Sequence, residues 1–487
     1  MAEVLLIQPK AGNWEAVGVR LPEGLLTLAA VPHKEGYKVK ILDLRLIKDW
    51  KKALLDELKQ SPVIVALTCM TGPQIKYALE ISKFIKENSN VPVVWGGVHP
   101  TLLPEQTVSN QYVDIVVIDE GEITFLDLIR TQEAGKPLDD VLGIAYKKDG
   151  KVKRNPPRPL ITNLDELPDK PYELVDVNKY FGFSHEGDDP SIAISTSRGC
   201  NFKCTFCYDT VFYNNTWRAM SAEKTIGTIK NIIDKFGIRN IYIQDDNFAV
   251  SIPRFKQIVN SIIEEKLDIT WGLMGIRIDT IGRLDEDFLS KIARSGCRNM
   301  DSGLESGSDQ ILRMIKKGFT VQQALDGNRK IGKFPIIMKY SFIGGYPTET
   351  EEDLKMSISM ISQLVKDNKN ACTPFLIYSA YPGVPLYELA KEYGVKEPRT
   401  MEEWSTFDYE NSYLNYPWLD KKRIKMLRNL AFTSLFANPA FQYKVHKKIV
   451  KFLFKMYQPI AKFRFHNNLY QMPVEKRIAD FIAASIY

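Results

Sequence analysis

Short apolar runs alternate with amphipathic stretches along most of this 487-residue chain, and this alternation limits the folds open to it. Strands that alternate with helices predict parallel sheets covered by helices. The pattern is interrupted between residues 136 and 190 and resumes with a longer repeat from residue 192. Because 487 residues exceed what one hydrophobic core normally holds, we expect more than one α/β domain.

The first domain is predicted over residues 1–135 as a doubly wound, Rossmann-like sheet. Its strand-like runs are 3–9, 38–44, 62–68, 91–97 and 113–119. No G-x-G-x-x-G sequence occurs, so a dinucleotide site is not indicated. In such a sheet the ligand lies beyond the carboxyl ends of the strands. The turns after the third, fourth and fifth strands are therefore the predicted ligand contacts.

Residues 136–190 are predicted to be a proline-rich connector without chemistry, in which runs 143–146 and 160–162 pair as a hairpin. The second domain, 191–395, contains strand-like runs at 192–196, 240–244, 268–273, 299–304, 336–343 and 373–379. These six β/α units predict a partial (β/α)6 barrel. The active site of a barrel lies at the carboxyl ends of its strands.

Half of the six cysteines lie in one loop, Cys200-Asn-Phe-Lys-Cys204-Thr-Phe-Cys207, after the first strand of the second domain. Three thiolates at this spacing can hold three irons of a [4Fe–4S] cube and leave the fourth iron without a protein ligand. Zinc is the alternative, but it prefers four ligands, and no fourth Cys or His is near in the sequence. This distribution also argues against a disulfide framework and favours the reducing cytoplasm.

The cysteine loop and the later strand ends resemble those of the radical SAM superfamily. In that family S-adenosylmethionine chelates the open iron and is cleaved to a 5′-deoxyadenosyl radical. The resemblance implies no particular catalytic residue, but it implies contacts with S-adenosylmethionine: Phe206 near the adenine, Asp245 and Asp246 at the amino group, Arg277 at the carboxylate, Glu305 at the ribose, and Gly344 and Gly345 along the adenine.

Residues 21–26, the turn Gly96-Gly97-Val-His99-Pro-Thr and the pair Gly121-Glu122 together resemble the cobalamin-binding module that precedes many radical SAM domains. The chain lacks the D-x-H-x-x-G motif that offers a histidine to cobalt in another module, so no histidine ligand is expected. Loop 69–71 is expected to face the cobalt from below, while His99 packs or caps a turn. The cobalamin contacts that the resemblance implies are Thr68, Cys69, Met70, Thr71, Gly72, Gly96, Gly97, His99, Gly121 and Glu122.

The net charge of +6 is concentrated in the C-terminal region, 396–487, which is predicted to be mostly helical. Residues 421–487 carry 14 Lys and Arg against two acidic residues, so this tail has a charge of +12 and the rest of the chain −6. The tail is either a helical cap over the barrel with a solvated basic face or a basic amphipathic surface for anionic lipid or an acidic macromolecule. No nucleic-acid module is present, so no nucleic acid is expected.

For the whole chain, the resemblance implies a cobalamin-dependent radical SAM C-methyltransferase with an external electron donor. The radical removes a substrate hydrogen, and the substrate then takes the methyl group from cobalamin. A peptide, a lipid, a tetrapyrrole and a small natural product are all open as substrates. An oxidative cyclase or ring-rearranging enzyme is the second hypothesis, and a corrinoid- or cluster-based sensor is the third. The expected location is the cytoplasm, with peripheral membrane contact through the tail.

Overall fold

The computed structural model describes residues 3–12, 19–180, 190–407, 412–437, 448–467, 469 and 472–478. Two large sheets follow one another along the chain, each of seven strands. The buried side chains of both belong to one continuous hydrophobic core. The predicted fold class, a Rossmann-like sheet followed by a parallel sheet and C-terminal helices, is confirmed.

The first sheet has the strand order β2-β1-β3-β4-β5-β6-β7, where β1 to β5 are parallel. Its parallel strands, apart from the edge strand β2, are buried on both faces, as strands between two helix layers must be. The strands are β1 (Glu3–Gln8), β2 (Lys38–Asp43), β3 (Ile64–Thr68), β4 (Val93–Gly96), β5 (Ile115–Val117), β6 (Ile144–Lys148) and β7 (Lys151–Arg154). The helices are α1 (Glu23–Lys34), α2 (Trp50–Leu58), α3 (Pro73–Asn88), α4 (Val98–Leu102), α5 (Pro104–Ser109) and α6 (Glu122–Glu133).

The first sheet extends into the segment that we predicted to be a connector. Strand β6 pairs antiparallel with β5, and β7 pairs with β6, so the sheet continues past residue 135. The predicted partner of 143–146 is therefore wrong, because run 160–162 forms no strand and Lys151–Arg154 takes its place. The two-residue turn Asp149-Gly150 has φ of 51° and 75°, as a hairpin turn that follows the strand twist requires.

The second sheet has the order β15-β14-β13-β12-β11-β8, and β16 also pairs with β14. All these pairings are parallel, and β15 and β16 together occupy the sixth strand position. The strands of this half are β8 (Ser191–Ile194), β9 (Ser197–Arg198), β10 (Arg218–Ala219), β11 (Asn240–Gln244), β12 (Thr270–Met274), β13 (Cys297–Glu305), β14 (Ile337–Gly344), β15 (Ala371–Cys372) and β16 (Phe375–Ile377).

Most of the helices between these strands begin at a Ser, Thr or Asp whose side chain accepts the backbone N–H three residues later, which satisfies one of the free donors of the first turn. These N-caps are Ser221, Ser251, Asp285, Ser308, Thr320, Thr350 and Thr400. The helices are α7 (Asp209–Phe212), α8 (Ala222–Phe236), α9 (Ile252–Glu264), α10 (Ile278–Arg283), α11 (Glu286–Arg294), α12 (Asp309–Met314), α13 (Val321–Ile331), α14 (Glu351–Asp367), α15 (Pro385–Glu392) and α16 (Met401–Trp404).

The tail contributes two helices, α17 (Lys421–Ala437) and α18 (Lys448–His466). Helix α17 lies against β16, and α18 packs on α17. The tail residues 438–447 and 479–487 lie outside the described residues. Short 3₁₀ helices occur at Leu138–Asp140, Leu164–Glu166, Tyr172–Leu174, Val177–Lys179, Phe248–Val250 and Ser412–Asn415. Within the described ranges, no helix combines the length and the hydropathy needed to cross a bilayer.

Candidate active site

The three clustered cysteines lie on a loop that is closed at its base. Strand β9, just before the loop, pairs antiparallel with β10 after it. At Gly199 the chain turns with a φ of +76°, and a Cβ there would stand 2.2 Å from the Thr216 carbonyl oxygen, so glycine is required. Cys200, Cys204 and Cys207 are partly exposed, whereas the other three cysteines of the chain are buried.

The three thiols of this loop are the predicted cluster ligands. Burial raises the pKa of Cys200 and of Cys207, so these thiols stay protonated at neutral pH unless a metal replaces the proton. Cys200 Sγ accepts a hydrogen bond from Asn247 Nδ2 at 3.4 Å. Each cysteine thiolate that holds a [4Fe–4S] cluster binds a different iron, so the thiolates do not converge on one point. In the described part of the chain, no three His, Cys, Asp or Glu side chains converge as they would around a single ion.

The two adjacent aspartates after β11 have different surroundings. Asp245 is 1% exposed, and its carboxylate accepts hydrogen bonds of 2.6–2.7 Å from the Thr196 backbone and hydroxyl and from the Ser197 hydroxyl. It thereby fastens the end of β8 to the end of β11. Asp246 instead accepts the Gly199 N–H at 2.9 Å and lines a cavity between the two sheets, which Asp245 does not. Of the predicted pair, Asp245 therefore holds two strand ends together, whereas Asp246 faces the cavity.

Asp209, which we did not single out from the sequence, lies beside Asp246. Burial and the Asp246 carboxylate raise the pKa of Asp209 well above its usual value, and burial also raises the pKa of Asp246. Oδ1 of Asp209 is buried and finds no hydrogen-bond partner within the described residues. An ammonium group donates hydrogen bonds and offsets negative charge, so this pair fits the amino group of S-adenosylmethionine. The only sequence signal for Asp209 is its position two residues after Cys207.

Phe206, Arg277 and Glu305 meet around Lys317, another residue that we did not single out from the sequence. Lys317 Nζ lies 5.5 Å from the centroid of the Phe206 ring and donates to Glu305 Oε1 at 2.9 Å. Burial opposes the charge on Lys317, but Glu305 raises its pKa above the usual value. Arg277 donates to the Lys317 carbonyl at 2.7 Å and to Asp279 at 2.9 Å. None of the three predicted residues lines the cavity between the sheets.

The strand end at Gly344 and Gly345 is covered by the C-terminal segment. A Cβ at Gly344 would stand 2.4 Å from an aromatic ring of β16, so glycine allows the two strands to approach. The Gly345 N–H donates to Glu349 Oε2 at 2.7 Å, and its carbonyl accepts from Trp418 Nε1 at 3.0 Å. Arg423 of α17 donates to the same Glu349 oxygen at 3.1 Å. The tail therefore completes the outer wall of this strand end.

Replacing Glu349 by glutamine is expected to remove a pH dependence of stability. Burial raises the pKa of Glu349 to about 7 from a reference of 4.5, although the Gly345 N–H and Arg423 oppose this shift. Because the folded pKa is the higher one, the contribution of this carboxyl is complete below its unfolded pKa and is lost as the pH rises to about 7. The unfolding free energy of the wild type relative to Glu349→Gln should fall by on the order of 1–3 kcal/mol between about pH 5 and pH 8.

The exposed Glu351→Gln is the matched control for this series, because its carboxyl lies at the surface only two residues after Glu349, in the first turn of α14. Urea unfolding of the three proteins across this pH range checks the prediction. A difference between wild type and Glu349→Gln that does not vary with pH would contradict it.

A cavity of about 340 Å³ lies between the carboxyl ends of the two sheets. It is lined by residues predicted to contact cobalamin in the first sheet, namely Thr68, Gly96, Gly97, Gly121 and Glu122. From the second sheet it is lined by residues next to the cysteine loop, namely Ser197, Arg198, Tyr208, Gln244 and Asp246. One space thus touches both predicted cofactor regions.

Two adjacent glycines, Gly96 and Gly97, contribute bare backbone to the first-sheet wall of the cavity. Gly97 has a φ of +99°, and a Cβ there would stand 3.0 Å from both the Cys69 carbonyl oxygen and Thr68 Oγ1. Both the backbone conformation and the close contact therefore require glycine. Next to it, Gly96 has no heavy atom closer than 3.9 Å to a Cβ position. The absence of side chains at these two positions leaves room for a broad ring system such as a corrin.

The other predicted cobalamin residues do not line the cavity. Cys69 is buried in the core, Met70 is 52% exposed, and Gly72 precedes the first turn of α3. Thr71 Oγ1 lies 3.0 Å from Nδ1 of His99, which is fully buried and whose pKa burial lowers to about 3. Loop 69–72 therefore leads into α3 instead of facing the cavity. His99 packs in the core as a neutral ring, 5.8 Å from the Trp404 ring.

The connector forms part of the cavity wall, although we expected no chemistry there. Lys170 forms an ion pair with Glu23, and burial raises the pKa of this glutamate. Proline-rich loops have no periodicity, so the sequence pattern gave no sign of this position. The connector residues that line the cavity are Leu164, Leu167, Pro168, Asp169, Lys170 and Tyr172.

Four charged side chains, three of them buried and Arg198 half-buried, join the two sheets beside the cavity. Arg198 contacts Glu120 at 2.8 Å and Glu122 at 2.5 Å, and Arg218 contacts the other oxygen of Glu120 at 2.9 Å. Burial opposes the charge on Arg198, but Glu122 and Glu120 raise its pKa above the usual range. Because Arg198 lies two residues before Cys200, this network fixes the cysteine loop relative to the first sheet.

Comparison with known proteins matches two parts of the chain to family models. Residues 15–129 match the B12 binding domain, and residues 194–361 match the radical SAM superfamily. The chain is 33% identical over 445 residues to an uncharacterized methyltransferase, PH0819, of Pyrococcus horikoshii, which covers 91% of this chain and 92% of that protein. It is 26% identical over 449 residues to an anaerobic magnesium-protoporphyrin IX monomethyl ester cyclase of Rubrivivax gelatinosus, over 86% and 78% of the two chains.

Among solved structures, the cobalamin-dependent S-adenosylmethionine radical enzyme OxsB shares the fold. It superposes with a TM-score of 0.74 at 20% identity over 96% of this chain and 72% of that one. The predicted cofactors, a [4Fe–4S] cluster, S-adenosylmethionine and cobalamin, agree with the two matched families. With both domains matched in order and a relative aligned over nearly its whole length, the chain belongs to the B12-binding radical SAM enzymes.

Proposed function

We propose that this enzyme methylates a carbon atom of its substrate, with cobalamin as the methyl donor. The observation that carries the proposal is a cavity that is bounded by Gly97 on one sheet and by Arg198 and Asp246 on the other. A donor held on the first sheet and a group that removes hydrogen beside the cysteine loop would act on one substrate in this space. The name of the methyltransferase relative supports the same reaction class.

When bound, S-adenosylmethionine and the cluster supply the hydrogen-abstracting radical and cobalamin supplies the methyl group. The protein holds these groups and excludes water. Asp246 and Asp209 orient the amino group of S-adenosylmethionine, and the Arg198 network holds the cysteine loop at a fixed distance from the first sheet. The connector closes one side of the cavity. The thiolates that hold the cluster are Cys200, Cys204 and Cys207.

The proposal is tested with protein reconstituted anaerobically with iron, sulfide and hydroxocobalamin, a chemical reductant in place of the external electron donor, and S-adenosylmethionine with a deuterated methyl group. We expect S-adenosylhomocysteine and 5′-deoxyadenosine to form together, and the label to appear on cobalamin. This readout does not need the substrate. Formation of 5′-deoxyadenosine without S-adenosylhomocysteine would contradict methyl transfer.

A ring-forming oxidation is the second candidate, because the relative from Rubrivivax gelatinosus is named as a cyclase. Such a reaction uses the radical but takes no methyl group from S-adenosylmethionine. It therefore predicts 5′-deoxyadenosine alone in the same assay, so one experiment separates the two candidates.

A further inference from the structure

Helix α18 has apolar side chains on two opposite faces. Its inner face is buried and includes Phe454, whose ring stacks on Phe436 of α17 with centroids 4.8 Å apart. The outer face, called here the α18 stripe, consists of Phe452, Met456, Ile460 and Phe463. These four side chains are 52–64% exposed. At about 100° per residue they fall within about 80° of the helix circumference, opposite the buried face.

Contacts on the buried side of α18 fix its orientation, so that the α18 stripe faces away from α17. Glu475 is 1% exposed and accepts hydrogen bonds from Tyr457 at 3.0 Å, Arg464 at 2.8 Å and Thr433 of α17 at 3.1 Å. These bonds fix the rotation of α18 on α17, which itself packs on β16. Within the described part of the chain the stripe is therefore exposed, and a rotation of α18 that buried it against α17 would break these hydrogen bonds.

Basic residues flank the stripe on one side. Lys455 and Lys462 lie next to it on the helix circumference. The tail 421–487 has a charge of +12, and of its two acidic residues Glu475 is buried against Arg464. A row of large apolar side chains with lysines along its flank is the arrangement of a helix that lies in a lipid interface.

We propose that the α18 stripe attaches this enzyme to the surface of an anionic lipid bilayer. The apolar side chains enter the acyl boundary, while the lysine stems extend along it and place their ammonium groups among the headgroup phosphates. Charge favours this occupant over a second copy of the chain, because a dimer through this face would bring two tails of +12 together.

The test uses the full-length reconstituted enzyme and co-sedimentation with vesicles of phosphatidylcholine, either alone or with about a third phosphatidylglycerol. We expect at least about tenfold stronger partitioning onto the anionic vesicles. The variant Phe452→Gln/Met456→Gln/Phe463→Gln should lose this binding, and Lys455→Gln/Lys462→Gln should weaken it about thirtyfold at low salt. Binding by the wild type should also fall as salt is added.

The matched control is Leu46→Gln/Val152→Gln, two apolar side chains that are each 38% exposed in the first domain and should leave binding unchanged. All variants should keep the wild-type unfolding midpoint and the wild-type rate of 5′-deoxyadenosine formation. Equal binding to neutral and anionic vesicles, or no binding, would overturn the proposal. A dimer in light scattering that the stripe variant dissociates would assign the face to self-association and overturn it as well.

Discussion

Replacing Cys200, Cys204 and Cys207 together by alanine is expected to abolish iron binding and 5′-deoxyadenosine formation, down to the detection limit. The three thiols are the partly exposed cysteines of the chain and share one loop, so the cluster has no substitute ligands there. Cobalamin should remain bound, because no cysteine lines the cavity between the sheets. Iron and sulfide content, the cobalamin spectrum and product analysis of the same preparation measure all three outcomes.

The chain provides its own control for this variant. Replacing Cys69, Cys297 and Cys372 by alanine removes the same number of thiols, but each of these is buried elsewhere. This control variant should keep both iron and cobalamin and lose only some packing energy. Because Cys69 belongs to the loop that we expected beneath the cobalt, retained cobalamin also tests that expectation. Iron retained by the first variant, or lost by the control, would show that the loop is not the cluster site.

The second large effect is expected from Arg198→Met, which removes the shared cation of the network between the two sheets. Glu122 then remains buried, at 5% side-chain exposure, without its ion-pair partner, while Glu120 keeps Arg218. Stranding one charge of a buried pair costs about 3–5 kcal/mol. The urea or thermal unfolding midpoint should fall accordingly, and the activity should fall too because the cysteine loop loses its anchor on the first sheet.

A second substitution separates charge from packing in this network. In Arg198→Met/Glu122→Gln the stranded carboxylate is neutral, so more than half of the lost stability should return. The control is Arg130→Met, which breaks the ion pair with Glu35 at the surface, where the side chains are 52% and 43% exposed, and costs about 0–1 kcal/mol. If Arg198→Met were as mild as this control, the network would not hold the two sheets together.

The strand and helix alternation was predictable because parallel strands between helix layers are apolar on both faces and stand out from their surroundings. The hydrophobic pattern did not show the second strand of the hairpin after β5, since Lys151–Arg154 is a charged strand with a single apolar residue. The sequence did hold a sufficient signal in Asp149-Gly150, a dipeptide that favours the two-residue hairpin turn. The turn was more informative here than the hydrophobic pattern.

The candidate site shows a different limit of prediction from the sequence. The cysteine spacing pointed directly to its loop, but Asp245 and Asp246 are chemically identical in the sequence, and only the hydrogen bonds to Thr196 and Ser197 distinguish them. The position of loop 69–72 made it a reasonable candidate for ligand contact. The turn in which only glycine fits, however, is at Gly97. Positions in a turn are set by backbone geometry, which residue types alone do not specify.

The two outer strands of the first sheet, β2 and β7, also affect the association of this protein with other protein molecules. Each presents lysines toward solvent, at Lys38 and Lys40 on one side and at Lys151 on the other. Unpaired strand edges invite addition of a strand from another chain, and lysine side chains discourage such addition. Both ends of the sheet are protected in this way against edge-to-edge aggregation. Because N-terminal domains generally fold first during synthesis, this protection matters most while the rest of the chain is still being made.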